Sequence, residues 1–284
     1  MSKLEQQGFL TIAQNNSTTD YLNMAYAQAL SIKLTMPGSK YAVLVDEYTY
    51  NLVEDRHKKV FDYIIKMPVD DAADQEWKLA NEWQVFDLTP FKETIKLESD
   101  ILFTRSIDHW WNIFRLKNLV ISLGCKDYQG NTAISRRYRQ VFDDNGLPDV
   151  YSGLVYFRYS QEAHTFFGSI RALYKHWDLI VPQLKKYSER QPTTDLIYAI
   201  ASQHLGLENC TLPSCEFINF THMKNSINNW PEETPWTKLV ISEVDAPMIR
   251  VNGVNQYYPF HYQDKNWLTD DIIRRFEQSW MNQN

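Results

Sequence analysis

Residues 8 to 45 constrain the fold more tightly than any other stretch. Gly8-Phe9-Leu10-Thr11-Ile12-Ala13 is a compact apolar run that reads as a buried strand. The polar cluster Gln14-Asn15-Asn16-Ser17 follows as a loop, and Thr18-Thr19-Asp20 offers N-cap oxygens. Leu22, Ala25, Tyr26, Ala29 and Ile32 then recur at helical spacing until Pro37-Gly38 stops the helix. Tyr41-Ala42-Val43-Leu44-Val45 is a second strand, with Asp46 at its end. Strand, helix, strand in this order is a βαβ unit, which demands a parallel pair and a crossover.

The rest of the chain continues in α/β style. Glu54 to Phe61 reads as a charged surface helix and Tyr63-Ile64-Ile65 as a third strand. Asp70 to Glu82 is polar and reads as loop or short helix. Leu119 to Leu123 and Tyr151 to Phe157 are further strands; Glu162 to His176 and the run from Asp195 to Ala201 are helical. Phe217 to Phe220 is a strand leading to His222, and a helix from Thr269 to Trp280 closes the chain. No apolar run reaches the roughly 18 residues of a membrane span. Cys125, Cys210 and Cys215 cannot all pair within one chain, which reads as reduced thiols and a cytoplasmic setting.

Chemistry concentrates at Ile95-Lys96-Leu97-Glu98-Ser99-Asp100-Ile101-Leu102-Phe103, an apolar strand interrupted by two carboxylates. Two apart on extended chain, Glu98 and Asp100 point the same way. Burying unpaired carboxylates is expensive. A divalent cation such as Mg²⁺ compensates, taking one or two carboxylates plus substrate phosphates. An exposed acidic turn is the plainer alternative. In open α/β sheets ligands bind at the carboxyl rim, where Asp46, Gln14 and Asn15 also fall.

The order of these features resembles the GT-A fold glycosyltransferases, most closely their glycogenin-like and bacterial galactosyltransferase-like branch. The resemblance runs from about residue 8 to 240. Glu98-Ser99-Asp100 stands where the family has D-x-D. Tyr151-Ser152-Gly153-Leu154 is similar to its N-S-G strand, and Thr194-Asp195-Leu196 to its D-Q helix start. His222-Met223-Lys224, with Pro235-Trp236 beyond, resembles its H-x-x-G…K-P-W ending. It departs from the pattern in a longer first carboxylate, in Tyr151 for Asn, and in the missing glycine after His222. The fold so implied is a Rossmann-type mixed α/β sheet flanked by helices. It forms one domain over 1–245, with a nucleotide-binding half at 8–104 and an acceptor half at 105–245, then an extension over 246–284.

The resemblance implies transfer of a sugar from a UDP-sugar. Asp100 and His222, helped by Glu98, would hold Mn²⁺ or Mg²⁺ against the leaving diphosphate. The nucleotide pocket would draw on Ala13, Gln14, Asn15, Asp20, Tyr21 and Asp46. Asp20 serves equally as a plain N-cap, and Tyr21 as core. Lys224 and Lys238 are diphosphate candidates or ordinary surface lysines. Asp195 would stand beside the reacting sugar, or simply stabilise its helix N-terminus.

Chains of this flavour resemble bacteriophage glycosyltransferases, which suggests 5-hydroxymethylcytosine in double-stranded DNA as acceptor, with glucose or arabinose transferred. The net charge is −6, yet residues 105 to 190 hold 13 Lys and Arg against 8 Asp and Glu. Arg136, Arg137, Arg139, Lys185, Lys186 and Arg190 are the phosphate-contact candidates, and Trp110 and Trp111 can stack on a flipped base. A glycan or lipopolysaccharide acceptor is the alternative. Other classes are a non-catalytic nucleotide-sugar-binding protein and a nucleotidyltransferase; against the latter, Gln14 to Asp20 lacks a phosphate-loop glycine.

Overall fold

The computed structural model describes residues 4–73, 75, 78–133, 139–187, 189–212 and 218–283. Strands β1 (Glu5–Ala13), β2 (Tyr41–Val45), β3 (Tyr63–Lys66) and β4 (Phe91–Leu97) run parallel. Beyond β4 come the short β5 (Ile101–Leu102), β6 (Leu119–Leu123), β7 (Cys125–Lys126), β8 (Thr132–Ala133) and the long β9 (Val150–Arg158). β9 pairs antiparallel with both β4 and β6, so the main sheet is mixed, in the order β3-β2-β1-β4-β9-β6.

The expected βαβ unit is present, with its helix at Tyr21–Thr35. Both faces of the sheet are covered, which is why its strands are almost continuously apolar. Phe9, Val43, Ile95 and Tyr156 face one core, with the Tyr21–Thr35 helix. Leu10, Leu44, Val155 and Phe157 face the other, with the helices Gln161–Lys175 and Thr194–Leu205.

The stretch 95–103 is not one interrupted strand. β4 stops at Leu97, residues 98 to 100 turn, and β5 belongs to a second sheet. That sheet, β5-β14-β10-β7-β8, is completed by β10 (Thr221–His222) and β14 (Phe260–His261). β11 (Ser242–Asp245), β12 (Met248–Val251) and β13 (Val254–Asn255) make a small antiparallel sheet that straddles residue 245.

Residues 246–284, expected as an extension, run back into the body. β14 sits between β5 and β10, and the closing helix Asp270–Gln283 packs on the Tyr21–Thr35 helix. Ile273 and Phe276 of that helix join the first core. Phe276 is fully buried, so Phe276→Ala is expected to lower the stability of the whole domain by about 3–5 kcal/mol. Chemical denaturation reads this. An unmoved main transition would mean that the last helix is an independent appendage.

Candidate active site

The turn after β4 is fixed by its backbone. Gln28, fully buried in the first helix, donates from Nε2 to the carbonyls of Glu98 (2.6 Å) and Ile101 (2.8 Å). The Tyr41 hydroxyl donates to Gln28 Oε1 at 2.7 Å, which orients the side-chain amide. Glu98 N–H reaches Gly153 O on β9 at 3.1 Å. The two carboxylates are thus held by the helix, β4 and β9 together.

The imidazole that meets them is His261 of β14. Its Nε2 lies 2.9 Å from Asp100 Oδ2 and 3.4 Å from Glu98 Oε2. Lys265, four residues on, also bonds Asp100 Oδ2. Burial opposes the charge on Asp100, which is 2% exposed, but His261 and Lys265 hold its carboxyl well below the usual range. Burial likewise opposes the His261 imidazolium, and Asp100 overcomes it and raises its pKa. Glu98 moves the other way, pushed up mainly by burial.

His222, the expected ligand, does not face the carboxylates in this way. Its ring stacks parallel on His261, with centroids 4.4 Å apart and planes 6° apart. Burial pushes its pKa well down, so it is a neutral ring at ordinary pH. The cause is register: β10 and β14 are parallel neighbours with His222 opposite His261, and β14 is the strand next to β5. The sequence did contain a signal. His261, then Lys265-Asn266-Trp267, follows the same His…Lys-x-Trp order as the ending assigned to His222.

Glu98, Asp100 and His261 form the group of metal-competent side chains among the described residues, their ligand atoms all within 4.8 Å of one another. Two carboxylate oxygens and one imidazole nitrogen suit Mn²⁺ better than Mg²⁺. Any such cation would share Asp100 with Lys265.

Around this group opens a cleft of about 1190 Å³. Of the expected nucleotide residues, Gln14 and Tyr21 line it, with Lys224 and Asp195. Asn15, Asp20 and Asp46 are instead occupied in building the loop. Asn15 Oδ1 accepts Leu22 N–H, its Nδ2 donates to Asp20, and Asp20 caps Asn23 N–H. Asp46 caps Thr49 N–H and accepts from Gln14. Ala13 is buried at the end of β1, and Lys238 is exposed and does not line the cleft.

Asp195, in the first turn of the helix Thr194–Leu205, accepts the N–H (2.7 Å) and hydroxyl (2.9 Å) of Ser152. The same hydroxyl is 2.9 Å from Glu98 Oε1. Ser152 therefore ties the expected catalytic aspartate to the metal-competent group. From the other side Arg139 Nη2 approaches Asp195 at 3.7 Å.

Among the described residues, the expected DNA-facing groups point to separate places. Arg139 is 1% exposed, paired with Asp149 at 2.8 Å and lying 3.6 Å over the Tyr151 ring. Its charge is spent on the interior. Trp110 and Trp111 are buried core residues, against the expected stacking role. Lys186 pairs with Asp144, and Lys185 is exposed. Arg136 and Arg137 lie outside the described residues, as do Cys215 and Phe217.

Solved structures share this architecture at low identity. An active-site mutant of LgtC is 14% identical with a TM-score of 0.52, over 97% of this chain and 95% of that one. The bifunctional glycosyltransferase WbbM is 12% identical at TM-score 0.52, over 98% of this chain and 50% of its own. The glycosyltransferase GlyE of Streptococcus pneumoniae TIGR4 is 11% identical at TM-score 0.50, over 98% and 60%. The chain has the GT-A fold. No family model matches the sequence, and no curated protein matches it significantly. Among the described residues no helix is long and apolar enough to cross a membrane.

Of the two stacked histidines, it is His261 whose ring nitrogen lies against both Glu98 and Asp100. His261→Ala is expected to weaken Mn²⁺ binding roughly 100-fold or more, at the upper end of losses seen even for outer-shell partners. His222→Ala should weaken it less, by about 10-fold at most, since its ring supports His261 by stacking rather than by ligation. Mn²⁺ titration followed by electron paramagnetic resonance distinguishes them. Equal losses would return His222 to the ligand set.

Proposed function

We propose that the protein is a glycosyltransferase that moves a sugar from a nucleotide-sugar donor, a UDP-sugar, to a hydroxyl of a polar, uncharged glycan. The observation that carries this reading is the convergence of Glu98, Asp100 and His261 just past the end of β4, inside a large cleft at the carboxyl rim of the parallel strands. The GT-A fold supports it.

Glu98, Asp100 and His261 would hold the divalent cation, which as a Lewis acid supplies charge stabilisation for a departing diphosphate. Lys265 and Lys224 line the same cleft and offer ammonium groups to phosphate oxygens. Asp195, fixed by Ser152 and Arg139, stands beside the reacting sugar and can accept a hydrogen bond from a sugar or acceptor hydroxyl. Gln14 and Tyr21 flank the nucleotide end.

The acceptor is argued from charge. The fully exposed charged residues of the lining are Lys175 and Arg190 against Asp178 and Glu189, which cancel. A polyanion such as DNA needs a surplus of cations. A hydroxyl-rich neutral glycan needs none.

Burial pushes the Lys224 ammonium down to about 8. Its charge is present below that pH and lost above it. Donor binding is therefore expected to weaken as the pH rises through about 8, and Lys224→Arg should remove that dependence, since arginine stays charged. The central experiment incubates the protein with Mn²⁺ and a panel of UDP-sugars, alone and with neutral glycans or DNA carrying 5-hydroxymethylcytosine, and reads products by mass. Sugar-dependent UDP release that stops in Asp100→Asn supports the reading. No UDP binding by thermal shift and no turnover of any UDP-sugar would end it, and a glycosylated DNA product would overturn the glycan acceptor.

A further inference from the structure

Lys265 and the metal-competent group make competing claims on one oxygen. Asp100 Oδ2 lies 2.9 Å from His261 Nε2, and the Lys265 ammonium bonds the same atom. Glu98 Oε2 is 3.4 Å from that imidazole nitrogen. A divalent cation held by His261 and Glu98 therefore meets Asp100 at the oxygen that already carries an ammonium. Such an oxygen offers about two acceptor directions, and both are taken. Stability alone does not account for the added ammonium, since buried ion pairs are often no better than apolar replacements.

The backbone that delivers the lysine is fixed on both sides. Tyr262 N–H donates to Asp100 O at 3.1 Å. Gln263 takes φ 57°, the left-handed region, so the chain turns sharply between His261 and Lys265. Asp264 accepts from Asn266 N–H and from the Thr237 hydroxyl, each at 3.1 Å. Trp267 is buried, and its indole N–H donates to Ser242 Oγ at 2.9 Å.

The head of Lys265 is placed differently from its backbone. Its side chain is 32% exposed against 2% for Asp100, and it lines the cleft beside Tyr21, whose ring centroid is 6.0 Å from the ammonium. Lys96, paired at 2.7 Å with the cleft residue Glu82, is by contrast 1% exposed. A lysine carries its charge on a flexible four-carbon stem. The Lys265 head can therefore leave Asp100 toward the cleft while the backbone stays where it is.

We propose that Lys265 is a tethered counter-cation: it holds the place beside Asp100 against a bare divalent ion and gives it up to one that arrives with a diphosphate. This rests on the sugar-transfer reading and gives it an order of binding. With no donor present, a free divalent ion must drive one positive charge off Asp100 with another, and the displaced ammonium gains no new anion. A diphosphate brings that anion. Lys265 then turns from the carboxylate to a phosphate oxygen, a charge-assisted bond, and leaves Glu98, Asp100 and His261 to the cation. The species this corner accepts is accordingly the cation and diphosphate together. The two bind cooperatively, and the coupling is the same in both directions.

The test uses the full chain. Mn²⁺ binding is followed by electron paramagnetic resonance with and without UDP, and UDP binding by calorimetry with and without Mn²⁺. The variants are Lys265→Met and Lys265→Gln. Glutamine keeps a donor for Asp100 and loses the charge, so it carries the test if the methionine variant fails to fold. Without UDP, both should bind Mn²⁺ roughly 10-fold more tightly than the parent. Lys265→Arg keeps the charge and should stay within about 2-fold of the parent. So should Lys175→Met, which removes an exposed ammonium elsewhere on the cleft lining. The factor by which UDP tightens Mn²⁺ should be about 10-fold larger in the parent than in Lys265→Met, and the factor by which Mn²⁺ tightens UDP should differ equally. A lysine that only braces the fold gives the opposite sign, with Mn²⁺ binding weaker once it is gone. Unchanged or weaker Mn²⁺ binding by Lys265→Met and Lys265→Gln overturns the inference, and so does an equal gain in Lys175→Met. Failure of the parent to bind UDP overturns the transfer reading, and the comparison without UDP still decides the role of Lys265.

Discussion

The Asp100 carboxylate, almost wholly buried, is the constraint around which the site is arranged. An isolated carboxylate there would be expensive, and in most interiors it would simply take up a proton. Here His261 and Lys265 meet it from one short segment, and the carboxyl stays ionised. Both groups come from the last part of the chain, more than 160 residues away in sequence. The final segment therefore lines the cleft, and β14 wedged between β5 and β10 is the means of bringing it there.

From that pair the order spreads outward through hydrogen bonds with little slack. Gln28 holds the carboxylate turn by two carbonyls, and Tyr41 holds Gln28. Ser152 joins Glu98 to Asp195, and Arg139 backs Asp195 from the interior. Most of these supporting groups sit on strands or long helices and are buried. A site built this way is preorganised, since little has to be ordered when a ligand arrives. The basic residues that looked available for a polyanion include one, Arg139, that is consumed in this internal support.

Much of the fold was legible in the sequence because its signals are local. The run Tyr41 to Val45 is buried on both faces and so is apolar throughout. The helix Tyr21–Thr35 announces itself through Asp20, its N-cap, and through apolar residues at helical spacing, although it is buried nearly all round rather than on one face. The site was legible to the extent that it also lay on those elements: Glu98 and Asp100 at a strand end, Asp195 at a helix start. His261 was passed over for His222 because choosing between two histidines requires knowing which strand lies next to β5. Asn15, Asp20 and Asp46 make loop and cap hydrogen bonds, and the sequence does not separate that role from ligand binding because a capping polar side chain and a ligand-binding one are the same residue types at the same kind of position.

The sequence by itself determined the α/β pattern, the rim on which chemistry would gather, and the acidic pair at its centre, since side-chain periodicity and strand ends are set by residues near one another in the chain. Only the tertiary structure decided that His261 meets both carboxylates and Lys265 meets Asp100, and that Arg139 turns inward. Those facts depend on which strands become neighbours, and strand pairing across such separations is chosen by the packing of the whole sheet, on which no short stretch of sequence reports.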